Sequence, residues 1–145
     1  MQISQIMQQY NEQWQRCSAL YKQWAESMGI TYHELLTLIS LAGTEVCTPK
    51  VVSEQWTLPK QTVHSVLCSF IKKGWIDMAG LESDGRGKRI LLTEQGGAAL
   101  RRIIGALDRR ERAVLRRLGE ENALKLVELT ARFNSCFAEE DNGEN

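Results

Sequence analysis

Several familiar sequence features are missing from these 145 residues, and each absence removes a class of protein. The four cysteines, Cys17, Cys47, Cys68 and Cys136, form no C-x-x-C pair and have only two histidines to join them. That spacing argues against a zinc cluster and leaves reduced thiols as the default. There is no surplus of charge, since 18 basic residues balance 18 acidic ones. Bulk electrostatics therefore point to no polyanion, and any such reading must come from where the charges sit. The opening MQISQIMQQYNEQWQR has no basic segment followed by an apolar one, and no run approaches the ~20 apolar residues of a membrane span. A soluble, cytoplasmic protein with no membrane partner is expected. G-x-S-x-G, H-E-x-x-H and P-loop motifs are all absent, and two isolated histidines offer little general-base chemistry. No enzymatic activity, cofactor or metal is expected. His33 and Glu34 are adjacent, but Glu34 has a capping role and no second histidine stands near.

What is present is organised around Leu58–Thr93. Val63, Val66, Leu67, Phe70 and Ile71 recur at i, i+3, i+4, i+7 and i+8, the apolar stripe of a helix laid on a core. Gln61, His64, Ser65, Ser69 and Lys72 then share the other face. These are hydrogen-bonding side chains of moderate length, suited to base edges in a groove, where a merely solvated face would alternate Glu and Lys. Pro59 suits the helix start and Gly74 its end. Trp75–Leu81 and Lys88–Leu92 read as two strands joined by Glu82-Ser83-Asp84-Gly85-Arg86-Gly87. Between Lys60 and Arg89 six basic residues face three acidic ones, and Arg86, Lys88 and Arg89 sit at the hairpin tip. A polar-faced helix followed by a cationic hairpin is the arrangement of a winged helix. A surface hairpin that is basic by chance is the alternative.

The flanks look built to hold that unit. Ile3, Met7, Tyr10, Trp14, Cys17, Tyr21, Trp24 and Met28 form a heptad seam that Gly29 closes, serving either core packing or subunit association. Cys17 on the seam is by default a buried small hydrophobe. Thr31-Tyr32-His33-Glu34 is a capping box with Ile30 and Leu35 at the staple positions, and it opens a helix that runs to Gly43. Thr48-Pro49 starts a short helix through Trp56, and the turn Thr57-Leu58 completes a helix-turn-helix. Beyond Thr93 an apolar helical period runs to Gly119, and Leu124, Val127, Ala131, Phe133 and Phe137 mark a last helix. From Arg101 to Arg117 seven arginines face two acids, a run read as a solvated face or as ion pairing with the acidic last helix, with a direct DNA contact as the alternative. Residues 139–145 read as a disordered acidic tail.

In this order of elements the chain resembles the MarR family of bacterial transcription regulators. Asp84-x-Arg86, followed after five residues by Leu92-Thr93, is similar to the family's wing signature, and Leu58-Pro59-Lys60-Gln61-Thr62-Val63 looks like the start of its recognition helix. The resemblance implies a mainly α (α+β) fold, a winged helix-turn-helix lobe with long N- and C-terminal dimerisation helices. Residues 1–138 would form one domain, with the lobe at 31–93 and the dimerisation helices at 1–29 and 94–138. It implies a homodimer that binds a pseudopalindromic site in double-stranded DNA and acts as a repressor released by an effector. Lys60, Gln61, Thr62, His64, Ser65, Ser69, Arg86, Lys88 and Arg89 would contact DNA, with Asp84 steadying the wing. A small aromatic effector would lodge near Tyr10, Trp14, Tyr21 and Trp24, which serve equally well as core. The wing departs from the family pattern where Gly87 and Lys88 make it short and glycine-rich. Two alternatives stand beside this reading. One is a winged-helix protein-interaction module without direct DNA binding. The other is a thiol-based redox-sensing regulator using Cys17, although the family's sensing cysteine lies further upstream, near Met7.

Overall fold

The computed structural model describes residues 1–80 and 88–140. Eight elements follow in order: α1 (Ile3–Ser27), α2 (Tyr32–Gly43), α3 (Pro49–Trp56), α4 (Lys60–Lys72), β1 (Ile76–Gly80), β2 (Lys88–Leu92), α5 (Glu94–Leu118) and α6 (Glu120–Glu140). The mainly helical class and the winged helix-turn-helix order match expectation. The chain divides into two compact units, Met1–Ile104 and Gly105–Asn145, with the division inside α5.

Local chemistry sets the boundaries. The Thr31 hydroxyl accepts the Glu34 N–H while the Glu34 carboxylate accepts the Thr31 N–H, so the capping box at α2 is closed in both directions. Thr48 caps α3 by accepting the Val51 N–H, with Pro49 in the first turn, where a missing N–H costs nothing. Two helices end in Schellman motifs around glycines of positive φ. At α1, Gly29 and Ile30 donate to the carbonyls of Glu26 and Ala25. At α4, Gly74 and Trp75 donate to those of Ile71 and Phe70, and the Trp75 ring closes on Phe70 at 5.3 Å between centroids. That motif claims Trp75, which is why β1 starts at Ile76 rather than one residue earlier.

The core of the first unit is built where α2, α3 and α4 pack on one another. Leu35, Leu38, Val52, Val63 and Phe70 are fully buried in it, and Ile103 on α5 is fully buried as well. Val66 and Leu67 are buried too, so the predicted α4 stripe holds, except that Ile71 at its edge is half exposed. Polar groups inside this core are satisfied. Ser40 donates to Gln55 Oε1 at 2.7 Å and accepts the Trp56 indole N–H at 2.8 Å, which fixes α3 against α2. β1 and β2 pair antiparallel with Ile76 opposite Leu92 and Gly80 opposite Lys88. The Ile90 N–H donates to the Cys47 carbonyl at 2.8 Å, anchoring the hairpin to the loop before α3.

Two expectations are corrected at the chain's ends. Cys17 is exposed rather than buried, because the seam on α1 has little cover over its first two-thirds, and Trp14 stands 64% exposed. Ala25, off the predicted seam, is the buried residue of that helix. Glu139 and Glu140, assigned to a disordered tail, belong to α6, while residues 141–145 lie outside the described ones. In the second unit, α6 buries no residue, and Leu124, Val127 and Phe137 are all exposed.

Candidate nucleic-acid interface

α4 is the second helix of a helix-turn-helix whose corner is tightly specified. Ser53 serves both sides of the turn: its carbonyl accepts the Leu58 N–H at 3.0 Å, and its hydroxyl donates to the Leu58 carbonyl at 2.6 Å. The chain reverses through Thr57, which takes the left-handed conformation at φ 53°. Pro59 then stands at the N-cap with its φ already near helical values, and α4 leaves the corner with Lys60 exposed in its first turn.

Because Val63, Val66, Leu67 and Phe70 face inward, the helical period turns Gln61, His64, Ser65, Cys68 and Lys72 outward, and all five are exposed. Thr62 is half-buried at the margin. The Ser65 hydroxyl donates back to the Gln61 carbonyl at 3.0 Å, leaving its oxygen free to accept. Cys68 was not among the residues assigned to this face. It lies at its middle, with its Sγ 3.5 Å from His64 Nε2. The signal was in the sequence, since Cys68 stands four residues from His64 and seven from Gln61.

Ser69 sits differently from its neighbours. It is half-buried, and its hydroxyl donates to Glu34 Oε2 at 3.1 Å. The same carboxylate oxygen receives the Lys73 ammonium at 2.9 Å. The ammonium also lies 4.7 Å from the centroid of the Trp75 ring. Burial pushes the Glu34 carboxyl upward, but the Thr31 N–H, the Lys73 charge and the Ser69 hydroxyl outweigh it, so its pKa falls below the ordinary value. The sequence offered Glu34 only as a cap, because its other partners lie 35 and 39 residues away.

On the hairpin, Lys88 is exposed at the end of β2 nearest the tip, and Arg89 is half-buried opposite Ala79. Asp84 and Arg86 lie outside the described residues. The pocket candidates run along α1, with Tyr10 and Trp14 exposed and Tyr21 and Trp24 half-buried. On their own helix they make a row rather than an enclosure. Among the described residues no group of three or more His, Cys, Asp or Glu is placed to hold a metal. Among the same residues no helix is long and apolar enough to cross a membrane.

Comparison with solved structures identifies the architecture. A MarR family regulator from Neisseria meningitidis superposes with a TM-score of 0.81 at 22% identity, over 96% of this chain and 98% of that one. The fold is that of the MarR regulators. A MarR/EmrR family transcriptional regulator from Acinetobacter sp. ADP1 gives 0.77 at 20% identity, over 96% of this chain and 99% of that one. Staphylococcus aureus MarR in complex with salicylate and kanamycin gives 0.74 at 16%, over 94% and 93%. No protein-family model matches the sequence, and no curated protein matches it by sequence.

Proposed function

We propose that this protein is a homodimeric, sequence-specific DNA-binding transcription regulator of the MarR type, a repressor released from a pseudopalindromic site by a small aromatic effector. The observation that carries the reading is the outer face of α4. Gln61, His64 and Ser65 stand exposed on a helix whose opposite face is buried, next to a hairpin that brings Lys88 and Arg89 onto the same lobe. A helix of about 12 Å diameter fits the major groove, and amide, imidazole and hydroxyl groups match the donors and acceptors of base edges. Lys60, Lys88 and Arg89 supply phosphate contacts that set register, and Thr62 completes the first turn of the reading helix. Arg86 and Asp84 carry the wing tip in the same scheme.

Dimerisation is supported by the apolar side chains that the chain leaves uncovered. Trp14 on α1 and Leu124, Val127 and Phe137 on α6 are more than half exposed. Large apolar side chains left exposed on each terminal helix suit an interaction site, and self-association through those helices would cover them. Two lobes then meet half-sites one DNA turn apart, about 34 Å. The S. aureus neighbour is solved with salicylate, which supports an aromatic effector near Tyr10, Trp14, Tyr21 and Trp24. A second trigger, thiol oxidation at Cys17, is checked by whether peroxide releases DNA from wild type and not from Cys17→Ser.

The deciding experiment selects a bound duplex from a random pool and titrates its binding against salt. Neutralising Z phosphates gives a slope of about −0.9Z in log K against log salt. A palindromic selected sequence with a steep slope is expected. A flat slope on every duplex overturns the reading and favours a lobe that binds protein instead.

A further inference from the structure

The reading helix is held at its C-terminal end by a buried charge. Glu34 is 6% exposed, yet its carboxylate has three donors. Oε1 accepts the Thr31 N–H at 3.0 Å, and Oε2 accepts both the Ser69 hydroxyl at 3.1 Å and the Lys73 ammonium at 2.9 Å. Thr31 caps α2, whereas Ser69 and Lys73 belong to the last turn and the cap of α4. The carboxylate therefore ties the start of one helix to the end of the other. The Lys73 ammonium is fixed on its far side by the Trp75 ring, in the segment that leads to β1. By residue type, Ser69 and Lys73 suit base and phosphate contacts, but the Ser69 hydroxyl and the Lys73 ammonium both donate to Glu34.

We infer that Glu34, Ser69 and Lys73 form a positioning clamp that sets the angle of α4 on α2, and with it the register at which Gln61, His64 and Ser65 meet base edges, without touching DNA themselves. This rests on the DNA-binding reading above. The apolar stripe of α4 holds the helix on the core by packing that fixes its crossing angle only broadly, and burial itself is non-directional. Charge-assisted hydrogen bonds have narrow ranges of distance and angle. The lever is long. Ser69 and Gln61 are eight residues apart, about 12 Å along a helix axis, so a tilt of ~10° at the clamp moves Gln61 by about 2 Å, enough to break a hydrogen bond to a base. Ser69 changes role accordingly, from a reader of bases to a positioning residue.

The test compares wild type, Ser69→Ala, Lys73→Met and Lys73→Arg on the selected duplex and on a scrambled one, each across a salt series. A clamp predicts that Ser69→Ala and Lys73→Met lower the ratio of specific to non-specific affinity about tenfold, the discrimination carried by one good base contact. The salt slope on the scrambled duplex stays at the wild-type value, and Lys73→Arg, which keeps a cation on Glu34, retains most of the ratio. A Lys73→Met variant that loses affinity equally on both duplexes, with a slope shallower by about one, makes Lys73 a phosphate contact and overturns the clamp. So does an unchanged ratio in both variants, even with a lowered melting temperature. Ser69→Ala removes a single hydroxyl and serves alone if Lys73→Met does not fold. Wild type that binds neither duplex defeats the functional reading itself, a result distinct from wild type that binds and variants that discriminate as well as it does.

Discussion

A Cβ at residue 96 would overlap the carbonyl oxygen of Trp75 and lie 2.6 Å from its carbonyl carbon, so Gly96 is the residue that lets the first turn of α5 lie against the backbone between α4 and β1. The junction is further fixed by Thr93, whose hydroxyl donates to the Gly74 carbonyl and accepts the Gly96 N–H. At the next position a Cβ would meet nothing nearer than the Arg101 guanidinium at 3.4 Å, the far end of a flexible side chain. Two adjacent glycines in the first turn of one helix should thus respond oppositely to alanine. Gly97→Ala should stabilise by about 0.5–1 kcal/mol, through helix propensity and a less flexible unfolded chain. Gly96→Ala should destabilise by at least about 2 kcal/mol, because backbone must move. Urea midpoints of the two variants check both signs.

Thr57 occupies, at the end of α3, the left-handed position that Gly29 and Gly74 fill after α1 and α4. A β-branched residue there carries strain of about 1–2 kcal/mol, partly offset because glycine loses more entropy on folding. Thr57→Gly should therefore raise stability by about 0.5–1 kcal/mol, read as an upward shift in Tm. No change would mean that the exposed threonine sits in the turn without strain.

How much of this was legible depended on the range of the signal. The capping boxes, the glycine stops, the α4 stripe and the paired strands are set by residues within a few positions of one another, and the structure reproduces them nearly to the residue. What stayed hidden was non-local. Glu34 reads as a cap from Thr31-Tyr32-His33-Glu34, and nothing within that stretch reveals partners on α4. Ser69 and Ser65 look alike on a helical wheel, yet only Ser69 lies close enough to the core margin to reach a buried carboxylate. The heptad on α1 marks an apolar face, but periodicity cannot say whether the rest of the chain packs on it, and in the structure Cys17 on that face is exposed. The wing tip, with Asp84 and Arg86, lies outside the described residues, and its roles rest on the sequence pattern.

The lowered pKa of Glu34 makes stability depend on pH in a definite direction. A carboxyl whose folded pKa lies below its unfolded value binds fewer protons in the folded state, so its contribution is complete above the unfolded value of about 4.5 and is lost as pH falls through the folded one. Glu34→Gln removes the charge but keeps the shape. Wild type should exceed the variant by about 1–2 kcal/mol near neutral pH, the worth of charge-assisted hydrogen bonds to a buried carboxylate, reduced because the Lys73 side chain is 34% exposed and partly screened by water. That gap should narrow steadily as pH drops below 4.5. A gap that stays constant down to strong acid would show that the Glu34 charge contributes nothing to the fold.

Cys68 offers a direct probe of whether the outer face of α4 is the surface that meets DNA. Its thiol is exposed at the middle of that face, between Gln61 and Lys72, beside His64. In a Cys17→Ser, Cys136→Ser background the buried Cys47 reacts slowly, because burial pushes its thiol up and keeps it protonated. Maleimide labelling of the free protein should then report Cys68, and the specific duplex should slow that labelling at least tenfold by covering the sulfur in the groove. The adduct should in turn abolish binding, since a ring-sized group on this face cannot share the groove with base edges. Labelling at the same rate with and without saturating DNA would move the contact surface off α4, and Cys68→Ser that binds normally would separate the bulk of the adduct from any need for the thiol itself.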